Sequence, residues 1–386
     1  RELQLQLAVG APLIATRGYA ADEVREAYAR ARELCAQVGD RAQLFPALRG
    51  LWAFHLGRAD YAEARALAEQ MLELAERQQD PPLLLEAHRS LGNTMFWLGE
   101  LEAARRHMER GIELYVPDEH RTLALLYGQD PDVANRGMQA WPLSLQGFPE
   151  QALRRGQESL AQARQIAHPY SLGYALVHDM CCQQYLLRTE QAEARAEQAI
   201  ALATEKGFPN WLLAGFAVRG WALALRGQHD EGVGLLRQTV DLWRSTGSEL
   251  VVPYFLTLLA EAQGQAGQFS DALASLDDAF AVARKNDEHW YEAEMHRLRG
   301  ELLLQARGTN GEAEAEGCFR QALETARQQS AKLLELRAAL SLHRLAKQQG
   351  RGAEESRGLL AEVYGWFKEG FEMPDLARAR AALESS

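Results

Sequence analysis

Cysteine is scarce in this chain of 386 residues, which has four and no CxxC pair: Cys35, Cys181, Cys182 and Cys318. Small secreted domains that depend on disulfides use more cysteines at closer spacing. Structural zinc sites commonly use a CxxC pair. The sequence therefore predicts free thiols, a reducing cytoplasmic compartment and no metal site.

Motifs that carry catalysis are also missing. The sequence has no GxxxxGK[ST] phosphate loop, no GxSxG nucleophile turn and no HExxH zinc motif, each of which places specific atoms around a reacting group. Asp130 and Asp132 follow a glycine in a short polar loop, where they are more typical of a helix cap than of a metal site. We therefore predict that the chain is not an enzyme and holds no cofactor.

Long apolar runs and an excess of positive charge are absent as well. No stretch of about 18 uncharged apolar residues occurs, so the sequence predicts no membrane span. Lys and Arg total 42 against 53 Asp and Glu, for a net charge of −11, and such a chain repels nucleic-acid phosphates. Because the chain starts at Arg1 rather than at methionine, we expect it to be a piece of a longer protein.

Strong helix formers and an internal repeat fill the sequence instead. The clearest copy, LGNTMFWLGELEAARRHMERGIEL (91–114), reads as a helix, a glycine turn and a second helix that opens with an apolar residue and then a small one. Small residues at this position let the two helices of a pair cross closely. They recur 38 to 48 positions apart at Ala64, Ala104, Ala152, Ala194, Gly232, Ala272 and Ala315.

This repeat predicts an all-α fold, a right-handed superhelical solenoid of about nine antiparallel helix pairs with a period of about 40 residues. The glycine–aromatic–x–x–alanine opening of the second helix resembles the tetratricopeptide repeat, whereas HEAT and armadillo repeats share the longer period. We expect one repeat domain over 1–386, with a distorted or inserted pair near 112–135 and a C-terminal capping helix near 374–384.

Several longer phrases resemble the C-terminal repeat region of large bacterial signalling ATPases: YGQDPDV (127–133), HPYSLGYAL (168–176), ATEKGFPNWLLAG (203–215), RGWALALRGQ (219–228), HWYEAEMHRLRGELLL (289–304), CFRQALETARQQSAKLLELRAALSL (318–342) and VYGWFKEGFEMPDL (363–376). That group includes fusions of class III nucleotide cyclases with ATPases, and transcription activators of the maltose-regulator type. The resemblance implies that the chain is the sensor or scaffold arm of such a protein.

The concave groove of such a solenoid is the candidate binding surface, because fixed positions of the first helix of each pair line it. Counting back from each turn glycine predicts a lining that mixes aromatic and charged side chains, as suits a peptide or a small ligand. Alternatively, the aromatic residues fill gaps between repeats. The predicted lining is Glu86, Arg89, Asn93, Phe96, Trp141, His178, Cys182, Tyr185, Trp221, Tyr254, Glu261, Glu294, Arg297 and Glu301.

Three functions stay open on the sequence alone. The chain is a regulatory module that docks protein or peptide segments, including other domains of its parent, or a sensor that binds a small effector in the groove, or a free-standing scaffold. A deep aromatic pocket with few carboxylates would favour a small ligand, and a long open groove of alternating charge would favour a peptide. The loops 168–170, 207–211 and 286–291 offer a second surface at the repeat edges, or cap the junctions between repeats.

Overall fold

The computed structural model describes residues 1–39 and 43–385, and every regular element in that part of the chain is helical. No described helix combines the length and the apolar character needed to cross a membrane. The helices are α1 (Glu2–Arg17), α2 (Asp22–Val38), α3 (Leu44–Gly57), α4 (Tyr61–Gln78), α5 (Pro81–Trp97), α6 (Leu101–Leu114), α7 (Pro117–His120), α8 (Leu123–Tyr127), α9 (Pro131–Leu145), α10 (Pro149–Ile166), α11 (Pro169–Tyr185), α12 (Thr189–Lys206), α13 (Pro209–Leu225), α14 (His229–Ser245), α15 (Val252–Gln265), α16 (Phe269–Asn286), α17 (Glu292–Arg307), α18 (Glu312–Gln328), α19 (Lys332–Gln349), α20 (Ala353–Trp366) and α21 (Pro374–Glu384).

Most of these helices form consecutive pairs that pack side by side, from α1 with α2 to α19 with α20. The predicted all-α architecture of repeated helix pairs is therefore confirmed. Two short helices, α7 and α8, lie between the pairs α5–α6 and α9–α10, and α21 follows the last pair. The assignment of the whole chain to a single domain stays a prediction.

Helix ends follow the local sequence signals. Asp130 caps α9, since its Oδ1 accepts hydrogen bonds from the backbone N–H groups of Asp132 and Val133 at 3.1 and 3.0 Å, as the sequence predicted for this carboxylate. Gly207 ends α12 with a φ of 71°, a left-handed conformation that glycine adopts without strain. Proline follows at the start of α13, where its missing N–H does not disturb a helical hydrogen bond.

Small residues bring the two helices of each pair together. The predicted alanines at 64, 104, 152, 272 and 315 are each 0% exposed. A Cβ atom on Gly232 would lie only 2.5 Å from the carbonyl oxygen of Gly220, so α13 and α14 touch through their backbones. The prediction for Ala194 is wrong, because Ala194 is exposed and Ala192 and Ala196 are buried instead.

The chain of helix pairs coils so tightly that its second turn rests on its first. We call α1–α11 the first turn and α12–α20 the second turn. Ser248 Oγ donates to the carbonyl oxygen of Gly57, 191 residues earlier, at 2.7 Å. The backbone N–H of His289 donates to the carbonyl oxygen of Trp97 at 3.0 Å. Loops of the second turn therefore lie on the interhelix turns of the first.

The C-terminal segment of the chain is hydrogen-bonded to the start of α10. Glu369, in the loop before α21, accepts hydrogen bonds from the backbone N–H groups of Glu150 and Gln151 at 2.9 and 3.0 Å. The Glu150 side chain in turn accepts from the backbone N–H of Gly370 at 2.9 Å. This reciprocal pairing satisfies free N–H groups in the first turn of α10, as a capping residue does.

We predict opposite effects for two glycines of α14. Gly232→Ala should lower the free energy of unfolding by about 1–3 kcal/mol, because the added methyl group displaces backbone atoms of α13. Gly234→Ala is the control: its added methyl group meets no atom within 4 Å, so helix propensity should raise stability by up to about 1 kcal/mol. Urea denaturation of the two variants measures both effects, and equal stabilities would contradict the close α13–α14 contact.

Candidate functional site

Aromatic side chains fill the axis of the coil between its two turns. We call this set the aromatic column; it consists of Phe96, Trp97, Trp141, Tyr185, Tyr254, Trp290 and Tyr291, all of them buried. Trp290 comes from the loop between α16 and α17, is 0% exposed, and has ring-centroid distances of 4.9 Å to Phe96 and 6.0 Å to Trp141. The second turn thereby inserts a side chain into the interior of the first.

A buried carboxylate holds Trp290 in place. Glu288 accepts a hydrogen bond from Trp290 Nε1 at 3.0 Å and another from the Tyr61 hydroxyl at 2.6 Å. Tyr61 lies in the first turn, so Glu288 links the two turns. Burial raises the pKa of Glu288 to about 7, although the hydrogen bonds from Tyr61 and Trp290 oppose the shift.

Beside the aromatic column lies a cavity of about 80 Å³. We call it the central cavity, and its walls come from both turns. All lining residues are buried except Tyr19 and Leu250, which are half-buried. The lining consists of Tyr19, Arg49, Trp52, Leu56, Arg89, Asn93, Trp97, Gln129, Trp141, Tyr174, Val177, His178, Cys181, Asn210, Trp211, Ala214, Trp243, Leu250, Val251, Tyr254 and Phe255.

One end of the central cavity carries two buried cations and one buried anion. Arg49 Nε donates to Glu86 at 2.9 Å, and Arg89 Nη1 donates to the same carboxylate at 3.1 Å. The guanidinium of Arg49 also lies 4.3 Å from the ring centre of Trp52, a favourable cation–π contact. The exposed fractions of Arg49, Glu86 and Arg89 are 4%, 0% and 4%, so this charge is removed from water.

Among the described residues, the neighbouring ionisable groups supply no second negative charge to balance the second arginine. Burial and the positive charge of Arg89 lower the pKa of Arg49. Burial also disfavours the charged form of Arg89, but the carboxylate of Glu86 outweighs this effect and the pKa of Arg89 is raised. Burial lowers the pKa of His178 to about 3, so this histidine is neutral near pH 7. Its Nδ1 donates to the carbonyl oxygen of Tyr174 at 2.8 Å.

Four buried donor groups on the cavity wall have no hydrogen-bond partner among the described residues: Arg89 Nε, the Tyr174 hydroxyl, Trp211 Nε1 and Trp243 Nε1. Buried polar groups are nearly always paired in folded proteins, and a buried donor without a partner costs about 1–3 kcal/mol. Their grouping around one cavity, together with the paired arginines, makes the central cavity the candidate binding site.

Comparison with solved structures identifies the architecture. A Rap protein complexed with Competence and Sporulation Factor is 14% identical, with 94% of this chain and 99% of that chain covered and a TM-score of 0.58. The apo form of the quorum sensor NprR from B. thuringiensis is 12% identical, with 94% and 97% covered and a TM-score of 0.52. The fold is a tetratricopeptide-like solenoid. Identities this low show the fold alone.

Sequence comparison adds one longer relative. "Uncharacterized protein R02095" of Rhizobium meliloti (strain 1021) is 24% identical over 349 residues, which are 89% of this chain and 33% of that protein. The solenoid therefore spans about a third of the length of this curated relative. No family model matches the sequence.

The predicted groove residues fall into neighbouring groups on the inner side of the solenoid. Arg89, Asn93, Trp141, His178 and Tyr254 line the central cavity. Of the other predicted residues nearby, Glu86 pairs with the two arginines, Phe96 and Tyr185 belong to the aromatic column, and Cys182 is buried with its sulfur 3.3 Å from Ser144 Oγ.

The remaining predicted residues lie at a second, more polar pocket of about 220 Å³, which we call the charged pocket. Glu261, Glu294 and Arg297 line it, and Arg297 donates to Glu294 at 2.7 Å. Trp221 Nε1 donates to Glu261 at 2.8 Å, while Glu301 lies 3.4 Å from Arg297. Each of these predicted charges therefore has an opposite charge or a hydrogen-bond donor beside it.

Sequence reasoning missed several residues of the central cavity. Arg49 and Trp52 lie on α3, one repeat before the first predicted groove residue, and the register could have been carried back to them. Trp211 belongs to one of the loops predicted as a repeat-edge surface, as Trp290 of the aromatic column does, yet both are buried. Trp211 lies at the start of α13 and Trp290 in the loop before α17, and both are covered because the second turn of the solenoid packs on the first.

An open cleft of about 890 Å³ lies on the outside where the two turns meet. We call it the outer cleft. Its walls carry charges of both signs, several of them exposed, including the ion pairs of Arg65 with Glu100 at 2.7 Å and of Lys285 with Glu249 at 2.6 Å. It is lined by Asp22, Arg25, Phe54, His55, Arg58, Ala59, Asp60, Tyr61, Ala62, Arg65, Leu98, Glu100, Gly247, Glu249, Lys285, Asn286 and Asp287.

We predict a pH-dependent stability difference between the parent protein and Glu288→Gln. Because the pKa of Glu288 is raised from 4.5 to about 7, its protonated form contributes stability that is complete below pH 4.5 and lost above about pH 7. The parent should therefore lose up to about 3 kcal/mol relative to the variant as pH rises through that range. Chemical denaturation at several pH values measures the free energy of unfolding of both proteins. A difference between them that stays constant with pH would contradict the raised pKa of Glu288.

The arrangement of buried charges predicts that two substitutions lower the free energy of unfolding by different amounts. Glu86→Gln leaves Arg49 and Arg89 buried without an anion and should lower the free energy of unfolding by about 3–5 kcal/mol. Arg89→Met leaves a neutral Arg49–Glu86 pair and keeps most of the side-chain volume, so it should cost less than about 2 kcal/mol. Urea denaturation compares them at one pH, and an Arg89→Met variant as unstable as Glu86→Gln would refute the charge imbalance.

Proposed function

We propose that this solenoid is a non-catalytic regulatory arm that senses a small molecule in its central cavity. The observation that carries this proposal is the position of the central cavity between the two turns of the coil, lined by the buried arginine pair and by donors without a partner among the described residues. Among the residues that the structure describes, Glu86 is the one carboxylate in contact with those arginines. A deep aromatic pocket with few carboxylates suits a small ligand better than a peptide.

The size of the central cavity and the burial of its walls argue for a small ligand. A volume of about 80 Å³ corresponds to roughly two or three water molecules. A peptide on the inner face of the coil would have to displace the aromatic column, in which Trp290 is 0% exposed. Such a displacement would expose several large aromatic rings to water, so a peptide is a poor fit for the interior.

The position of the cavity supplies a mechanism of regulation. Arg49, Arg89 and Trp141 come from the first turn of the solenoid, whereas Trp211 and Trp243 come from the second. A ligand that contacts both walls binds the closed coil more tightly than a coil whose turns have separated. Binding therefore favours the closed coil in proportion to that difference in affinity.

The comparisons support a regulatory role and a longer parent. The Rap protein of the same fold was solved with Competence and Sporulation Factor, and NprR is a quorum sensor. The curated relative is about three times as long as the matched segment, which favours an arm of a larger chain over a free-standing scaffold. The resemblance to bacterial signalling ATPases and cyclase–ATPase fusions supports an ATPase or nucleotide-cyclase module as the output domain that we propose.

The outer cleft supports a second candidate function, docking of a protein or peptide segment. It is open, has a volume of about 890 Å³ and carries charges of both signs. These properties match an open surface of alternating charge, which favours a polypeptide partner. Another domain of the parent chain is the partner that we propose for this cleft.

A cavity-filling substitution tests the sensor function. We expect the small-molecule fraction of the source cells to raise the melting temperature of the parent protein, since a ligand that binds the folded state alone stabilises it. Ala214→Val adds two carbon atoms on the cavity wall and should abolish this rise. Differential scanning fluorimetry with and without the fraction is the measurement.

Ala222→Val on the same helix is the matched control, because Ala222 is also buried but does not line the cavity. It should lose stability through overpacking and keep the ligand response. Two results would overturn the proposal: an equal response in Ala214→Val and the parent, or a response to the macromolecular fraction alone.

A further inference from the structure

Within the described part of the chain, the central cavity combines a buried cation that no carboxylate balances with hydrogen-bond donors that have no partner. From this combination we propose that its ligand is a short monocarboxylate of two to four carbons, bound through Arg89. The inference rests on the proposed sensor function and names the class of molecule that is sensed.

Charge is the first argument. Arg49 and Arg89 share the single carboxylate of Glu86, and the other partner of Arg89, Gln129 Oε1, is neutral. The nearby Asp130 is engaged elsewhere: one oxygen accepts from the Tyr115 hydroxyl at 2.8 Å, and the other caps α9. An unpaired charge in such a site costs several kcal/mol, and one monovalent anion removes the imbalance.

Hydrogen bonding is the second argument. The unpaired groups around the cavity are Arg89 Nε, the Tyr174 hydroxyl, Trp211 Nε1 and Trp243 Nε1, and each can donate a hydrogen bond. An ionised carboxylate is an acceptor with about four lone-pair positions and no donor. Its hydrogen bonds with charged donors are stronger than those between neutral groups. The donors therefore select an anion over a cation or an alcohol.

The remaining lining residues determine which non-carboxylate part of the ligand fits. Trp52, Val177, Ala214 and Phe255 present carbon surface to the cavity, which suits a short hydrocarbon chain better than a second charged group. Inorganic phosphate offers acceptors as well, but it is partly a dianion near neutral pH and has no apolar part. The volume of about 80 Å³ limits the ligand to roughly four to six non-hydrogen atoms.

Isothermal titration calorimetry with acetate, propionate and butyrate tests the inference on the intact chain. We expect propionate or butyrate to bind at one site per chain. Propionamide, which has the same shape without the charge, should not bind, and inorganic phosphate should bind at least tenfold more weakly. Binding of propionamide or phosphate as tight as that of the carboxylates would overturn the assignment.

Arg89→Met should weaken carboxylate binding at least about thirtyfold, as loss of a buried charge partner does. Arg299→Met, which removes an arginine that pairs with Asp277 away from the cavity, should bind like the parent. Circular dichroism checks that both variants are folded, and Ala214→Val provides a second test because it blocks the site without changing its charge. Carboxylate binding that survives in Arg89→Met or in Ala214→Val refutes the proposed site.

The outcomes separate this inference from the proposed function. If no carboxylate binds but the small-molecule fraction still stabilises the parent and not Ala214→Val, the ligand class is wrong and the sensor function stands. If neither the carboxylates nor the fraction stabilise the parent, both the ligand class and the sensor function fail.

Discussion

The packing of Trp290 into the aromatic rings of the first turn is the interaction on which the rest of the structure depends. Two further hydrogen bonds join the Trp290 loop to the first turn: Glu288, which also holds Trp290, accepts from Tyr61, and the backbone N–H of His289 donates to the carbonyl oxygen of Trp97. These contacts convert an open row of helix pairs into a closed coil. Closure creates the central cavity, since both turns contribute residues to its wall.

Closure also sets the electrostatics of the interior. On an open coil, Arg49, Glu86 and Arg89 would lie on a solvated helix face, where an excess of one positive charge has little consequence. Inside the closed coil the same three side chains are at most 4% exposed, so the excess charge becomes expensive. The coil and a bound anion would therefore stabilise each other, which is the thermodynamic basis of a sensor.

Much of the fold followed from the sequence, because helix pairs, caps and small contact residues are local features. The cap at Asp130 and the buried alanines are specified within a few residues, and counting within one repeat brought Arg89 and Trp141 to the inner face. The closure itself could not be predicted. It depends on the rotation between successive pairs, which brings Gly57 to Ser248 across 191 residues, and small errors in that rotation accumulate. For this reason Trp211 and Trp290 were expected at an edge and lie in the interior.

The two candidate sites are coupled by the same geometry. The outer cleft is formed where α3 and α4 of the first turn meet the second-turn loops around Gly247 and Asp287. The central cavity lies between the same two turns, and Tyr19 and Leu250 are its half-buried lining residues. A domain docked in the cleft and an anion in the cavity would both select the closed coil. Thermodynamic reciprocity then requires that each raise the affinity of the other by an equal factor. Binding at one site can thus affect the other without a path of side chains between them, because both ligands stabilise the same closed conformation of the coil.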